Sequence, residues 1–136
     1  GVLAAFALGA KGVQIGTVLL ATKECPIHEN YKQKIVKSRD IDTIVTGRQT
    51  KAPVRVLKNP MAVKYIELSQ KGIDLEELEK LTLGSLRRAV VDGDMENGSI
   101  MAGQISGLVH SVKSVEEVLN DLFDNVQEYK NNLEVM

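Results

Sequence analysis

The chain has 136 residues and a formal net charge of −1, enough for one domain with a core but far short of the about 250 residues of a complete (β/α)8 barrel. Hydrophobic residues make up 43% and charged residues 26%, an ordinary globular balance with no bias toward nucleic acid or an anionic membrane. Aromatics at 4% with no Trp argue against base-stacking surfaces, and the single Cys25 cannot close an internal disulfide.

Gly1–Leu20 is apolar, yet Lys11 and internal glycines interrupt it and no basic segment precedes it, so it reads as neither leader nor membrane span. Val2–Leu8 predicts a helix covered on more than one face, ended by Gly9-Ala10. Val13–Leu20 predicts a fully buried parallel-type strand and its exit. Two such elements alone would leave apolar faces and sheet edges unpaired, so the chain is expected to be a piece of something longer. A polar connection over Thr22–Pro26 leads to a helix over Ile27–Ser38 and a turn at Arg39–Asp42. The β-branched runs Thr43–Gly47 and Pro53–Leu57 predict a small strand pair. Asn59-Pro60 opens a helix that runs to Gln70 before Gly72. Asp74 with Glu77 predicts a capped helix that breaks near Gly84 and resumes to Val91. Asp92–Gly98 is a loop, Ser99–Val109 a small-residue helix, and Ser114 with Glu117 caps a last helix reaching Leu133.

The sharpest local pattern is Gln14-Ile15-Gly16-Thr17. Glycine at a strand end lets backbone N–H groups approach a phosphate, threonine adds a hydroxyl, and an amide in an apolar strand needs a partner. In (β/α)8 barrels the loops after the last two strands are where phosphate sits. The competing reading is an ordinary buried strand with a tight turn. Asp92–Asn97 is a solvated loop rather than a calcium site, because the twelfth position from Asp92 is Gly103 where a bidentate Glu is required. The face of Ala102, Gly103, Ser106 and Gly107 suits close packing as well as a ligand. His28 and His110 have no partners at metal-ligand spacing, and Glu24 beside Cys25 disfavours a thiolate, so neither a metal nor a thiol nucleophile is expected. Arg48, Lys51, Arg55 and Lys58 line one face of the strand pair, either solvated or meeting an anion.

Four stretches together resemble one family: Ala4–Thr17, Glu24–Lys32, Pro53–Asn59 and Ala89–Val109. The whole chain is similar to the C-terminal part of flavin-dependent enoyl-acyl-carrier-protein reductases of type II, in the nitronate monooxygenase (2-nitropropane dioxygenase) superfamily. The Ala89–Val109 stretch favours the reductase branch. The resemblance implies an α/β fold: the last helix–strand units of an FMN-binding TIM barrel with a small, mainly helical α+β cap. Residues 1–21 would carry the FMN phosphate site, 22–91 the cap and 92–136 the helices returning to the barrel.

It further implies FMN as cofactor, held by Gln14, Ile15, Gly16 and Thr17, with Ser99, Met101 and Gln104 as lesser candidates along the flavin cleft. NAD(P)H would be co-substrate and an enoyl thioester, free or on acyl-carrier protein, the substrate, in bacterial fatty-acid synthesis. No catalytic residue is expected within the chain: the family's histidine matches neither His28 nor His110 and would precede Gly1. The expected setting is cytoplasmic, with no nucleic-acid or membrane partner, as a homodimer or with a complementing chain. Two alternatives stand beside this reading, an FMN-dependent nitronate monooxygenase and a non-catalytic module binding phosphate or carrier protein.

Overall fold

The computed structural model describes residues 1–124 and 126–134, apart from the side chains of residues 127, 133 and 134. Three short helices come first: α1 (Val2–Ala7), α2 (Thr17–Leu20) and α3 (Glu29–Val36). A two-stranded sheet follows, β1 (Thr43–Thr46) antiparallel to β2 (Val54–Leu57) with Thr43 opposite Leu57 and Thr46 opposite Val54. Helices α4 (Pro60–Gln70), α5 (Leu75–Thr82) and α6 (Ser85–Val90) pack beyond it. A 3-10 turn (Gln104–Leu108) and helices α7 (Val115–Phe123) and α8 (Val126–Glu134) complete the described chain.

Local chemistry explains most of these boundaries. Asn59 caps α4 by accepting from the Ala62 amide at 2.9 Å, and Pro60 occupies the first helical position where no N–H is needed. Its amide nitrogen also donates to the carbonyls of Met95 and Gly98, tying the helix start to the following loop. Gly84 takes a left-handed conformation (φ 70°) between α5 and α6, which a side chain would resist. Ser114 and Glu117 form the predicted capping box on α7. Asp74 does not: its side chain makes no cap bond, and only its backbone oxygen accepts from Glu77.

The core is one cluster drawn from distant parts of the chain. Ala21, Tyr31, Ile35, Leu57, Ala89, Ile100, Ala102 and Val109 are buried together. It joins residues from all three expected segments, because the 100–102 strip lies between α3 and β2.

That strip corrects one expectation. Ser99–Val109 is not a helix: Ile100–Ala102 runs extended along the free edge of β2, with Leu57 N–H donating to Ile100 at 2.8 Å and Ala102 N–H donating to Arg55 at 3.2 Å. Glycine-rich sequence is a poor helix former, and an edge of unpaired backbone groups wins the competition. Gly107 is held against the backbone of Arg39 and Asp40, where a Cβ has no room.

A second correction concerns Val13–Leu20. Val13–Gly16 has no sheet partner among the described residues, and Thr17–Leu20 is a turn of helix. A short apolar run does not distinguish strand from helix by periodicity, and a strand exists only with a neighbour to pair with. The burial expectation fails with it: Val13 and Gln14 are exposed, and of α1 only Val2 is buried while Leu8 is 90% exposed. The last helix also differs, divided into α7 and α8 by extended backbone at Asp124; Asn125 lies outside the described residues.

Candidate functional site

The chain passes from Gly12 without regular structure and turns into α2 at Gly16, whose backbone sits at φ −139° and ψ −70°. A Cβ built at Gly16 meets nothing within 4 Å. Among the described residues, the backbone N–H groups of Gly16 and Thr17 donate to no protein acceptor. The Thr17 hydroxyl is engaged: Oγ1 accepts from the Gly103 amide at 2.9 Å. This bond clamps the start of α2 to the end of the extended strip.

Between them lies an open cleft of about 360 Å³, walled by Gly16, Thr17 and Leu20 on one side and by Arg55 and Met101–Gly103 on the other. The far wall is anchored from behind. The Tyr31 hydroxyl donates to the Met101 carbonyl at 2.8 Å, and burial pushes its pKa up to about 12. A phenol so poised keeps its proton across physiological pH, so the anchor holds.

Arg55 brings positive charge to this cleft. Its guanidinium donates to the Thr43 hydroxyl at 3.1 Å, and no carboxylate pairs with it among the described residues. Backbone donors without a protein acceptor, open space at a glycine and a guanidinium without a carboxylate partner make a setting for an anion at one end of a mainly apolar cleft.

The predicted residues divide. Gly16 and Thr17 wall the cleft, whereas Gln14 is exposed and Ile15 half-buried, and neither lines it. Of the lesser candidates Met101 faces the cleft, while Ser99 is buried with its hydroxyl 2.7 Å from that of Ser85. Gln104 opens the 3-10 turn and is exposed. The four basic residues do not share a face: Arg55 reaches the cleft, Lys58 lines a separate pocket with Lys34 and Lys37, and Arg48 and Lys51 sit exposed in the β1–β2 turn.

His28 caps α3, its Nδ1 accepting from the Asn30 amide at 3.1 Å, and His110 is exposed. Ala102 and Gly103, from the small-residue face, do line the cleft, whereas Tyr31 and Leu20 are site-forming residues that sequence reasoning does not reach. A lone tyrosine and a leucine in an apolar run carry no local signal; the 103 amide matters only because Thr17 meets it. Among the described residues, no helix is long and apolar enough to cross a membrane.

The family model for nitronate monooxygenase matches residues 1–125, and the chain belongs to that family. Among solved structures it is similar to FabK from Thermotoga maritima, at 43% identity and a TM-score of 0.90 over 97% of this chain and 42% of that one. The M276A mutant of the same protein aligns at 41% identity with a TM-score of 0.79, over 98% of this chain and 40% of that one. A probable nitronate monooxygenase of Staphylococcus saprophyticus is 30% identical over 130 residues, 88% of this chain and 37% of the relative. One of Bacillus subtilis is 31% identical over 123 residues, 90% of this chain and 35% of the relative. The chain therefore spans well under half the length of these relatives, in an α/β fold that matches FabK.

Proposed function

We propose that this chain supplies the cofactor-phosphate corner and the substrate-side cap of an FMN-dependent enoyl-acyl-carrier-protein reductase that uses NAD(P)H. The observation that carries the reading is the likeness to FabK, 43% identity over 97% of the chain, against 30–31% for the probable nitronate monooxygenases. Bound FMN would supply the two-electron hydride chemistry that no side chain provides. The residues present fit its phosphate. Gly16 leaves space for close approach, the Gly16 and Thr17 amides are free to donate, and Arg55 supplies positive charge across the cleft.

The part played by these residues is binding and positioning. Tyr31 and Thr17 hold the Met101–Gly103 wall in place, so the cleft is shaped before a ligand arrives. Gln14 and Ile15 fall outside the wall and belong to the approach segment of the same phosphate site. Residues 1–21 are assigned to the barrel corner, 22–91 to the cap and 92–136 to its return, with the proton-handling residue of the reaction outside this chain. Cytoplasmic location, an acyl-carrier-protein-bound substrate, and a homodimer or complementing chain belong to the same proposal.

Nitronate oxidation is the second reading, favoured by the names of the family and of the curated relatives. The test compares the full-length gene product with the 136-residue chain. Reduction of a crotonyl thioester by NADH or NADPH in the former supports the reductase; nitronate-dependent oxygen uptake without it supports the oxidase. Neither activity, with phosphate binding retained, supports a binding module. The short chain is expected to turn over neither substrate.

A further inference from the structure

A pocket of about 260 Å³ opens where the end of α3 meets the end of β2, lined by Lys34, Lys37, Ser38, Asp42, Leu57 and Lys58. It shares no lining residue with the Gly16–Thr17 cleft among those described. Its frame is fixed before any ligand arrives. Leu57 belongs to the buried core, and the Lys58 amide donates to the Asp42 carbonyl at 2.8 Å, tying one wall to the other.

The charges of this pocket do not balance. Asp42 is its one acid, and that carboxylate is already committed: Oδ2 accepts from the Arg39 backbone N–H at 2.9 Å and from Nε at 3.2 Å, and Oδ1 from Nη2 at 2.9 Å. The Arg39 side chain, then its backbone and, to a smaller degree, Lys58 hold the Asp42 carboxyl down at about 2. One carboxylate therefore faces Arg39, Lys34, Lys37 and Lys58, and whichever cation it is assigned to, the others keep their charge. No other carboxylate pairs with any of the three lysines among the described residues. In a chain of net charge −1 this is a local excess of positive charge. Lysines in the last turn of a helix offset its dipole, which accounts for Lys34 and Lys37. It does not account for Lys58, which arrives from the end of β2.

We propose that this pocket binds a phosphomonoester, with the phosphate dianion set among Lys34, Lys37 and Lys58. A dianion answers the excess charge better than a single carboxylate does. Lysine ammonium groups also suit phosphate as point charges, where a flat carboxylate favours the fork of arginine. The Ser38 hydroxyl is not a donor to it, being spent on the Ile35 carbonyl at 2.6 Å. The volume falls just under the about 300–1,000 Å³ of whole small-molecule sites, which suits a phosphate with one small polar substituent such as a pentose. Such a group comes from two sources, the 2′-phosphoribose of a pyridine nucleotide or a free sugar phosphate. The site stands apart from the FMN cleft and does not depend on the reductase reading.

The test uses the full-length gene product with excess FMN, so that the Gly16–Thr17 cleft is filled, and titrates ribose 5-phosphate and ribose by calorimetry. Ribose 5-phosphate binds at least tenfold more tightly than ribose, and added sodium chloride weakens it. Lys58→Gln, and independently Lys34→Gln, each lower its affinity about tenfold while flavin binding is unchanged. Thermal melting identifies any variant that fails to fold, and the other then decides. Equal binding of ribose 5-phosphate and ribose by the parent, or parent-like binding of ribose 5-phosphate by the folded variants, overturns the site. NADPH and NADH separate the sources. A preference for NADPH that Lys58→Gln abolishes assigns the phosphate to the nucleotide; no such preference, with ribose 5-phosphate still bound, assigns it to a free sugar phosphate. A gene product that takes up no flavin overturns the reductase reading, and the Lys58→Gln comparison still decides this site.

Discussion

The Thr17 hydroxyl accepts from the Gly103 amide at 2.9 Å across 86 positions of sequence. This one bond joins the two walls of the cleft, so losing it should be read in both stability and ligand binding. Thr17→Val keeps the side-chain shape and removes the acceptor, and should cost about 1 kcal/mol in urea unfolding. Thr17→Ser should restore most of it.

Gly16 offers a separation of structure from function. An added Cβ meets no described atom within 4 Å there, so Gly16→Ala should shift stability by no more than about 1 kcal/mol. In the full-length gene product the same change should weaken FMN binding about tenfold, since the added methyl occupies the space assigned to a phosphate oxygen. Flavin fluorescence titration reads the second effect and thermal melting the first. Undiminished flavin binding would place the phosphate elsewhere.

Asn59 should prove one of the most sensitive polar positions. Its buried side chain accepts from Ala62 and donates to Met95 and Gly98. Asn59→Ala should destabilise by about 2–4 kcal/mol in denaturant melts, combining a lost cap with two buried carbonyls left unpaired. Asn59→Asp retains the cap but loses both donors, so it should fall well short of wild type.

Gly93 should tolerate no side chain. Its φ is +68°, and a Cβ would fall within the His28 ring that caps α3. Gly93→Ala should cost about 2–4 kcal/mol through backbone strain and overpacking together. A His28→Ala background should relieve the packing share, making the pair non-additive in a double-mutant cycle.

Acid should loosen the chain from two carboxylates. Glu117 is held at about 2 by the Ser114 amide, the Ser114 hydroxyl and Lys23, and Asp42 at about 2 by the side chain and then the backbone N–H of Arg39. Both lie below their ordinary values of 4.5 and 3.8. The folded state therefore binds fewer protons than the unfolded one in this window. Their stabilisation is present above the ordinary values and is lost as pH falls through about 2. Unfolding midpoints followed from neutral pH into that acid range should decline, and Glu117→Gln should decline less steeply.

Elements governed by neighbours in sequence could be read directly. Asn59-Pro60 announced α4, Ser114 and Glu117 the start of α7, and β-branched alternation the β1–β2 pair, because caps and pleats act over three or four residues. The strand expected over Val13–Leu20 and the helix expected over Ser99–Val109 fail for the opposite reason. Their conformation depends on what they pair with: the first meets no strand among the described residues, the second lies on an edge of β2 formed more than 40 positions earlier. Arg55 was visible as a cation, but which of two pockets it or Lys58 would enter was decided by β2 lying between β1 and the 100–102 strip.

By itself the sequence determined the family likeness, the helix starts and the Gly16–Thr17 pair, all properties carried by residue identity at short range. Only tertiary structure decided that Thr17 would meet Gly103, that Tyr31 would pin Met101, and that Lys58 would join Lys34 and Lys37 at one pocket. Those relationships arise because burial of a common core brings distant backbone groups together, and each must then find a partner out of water.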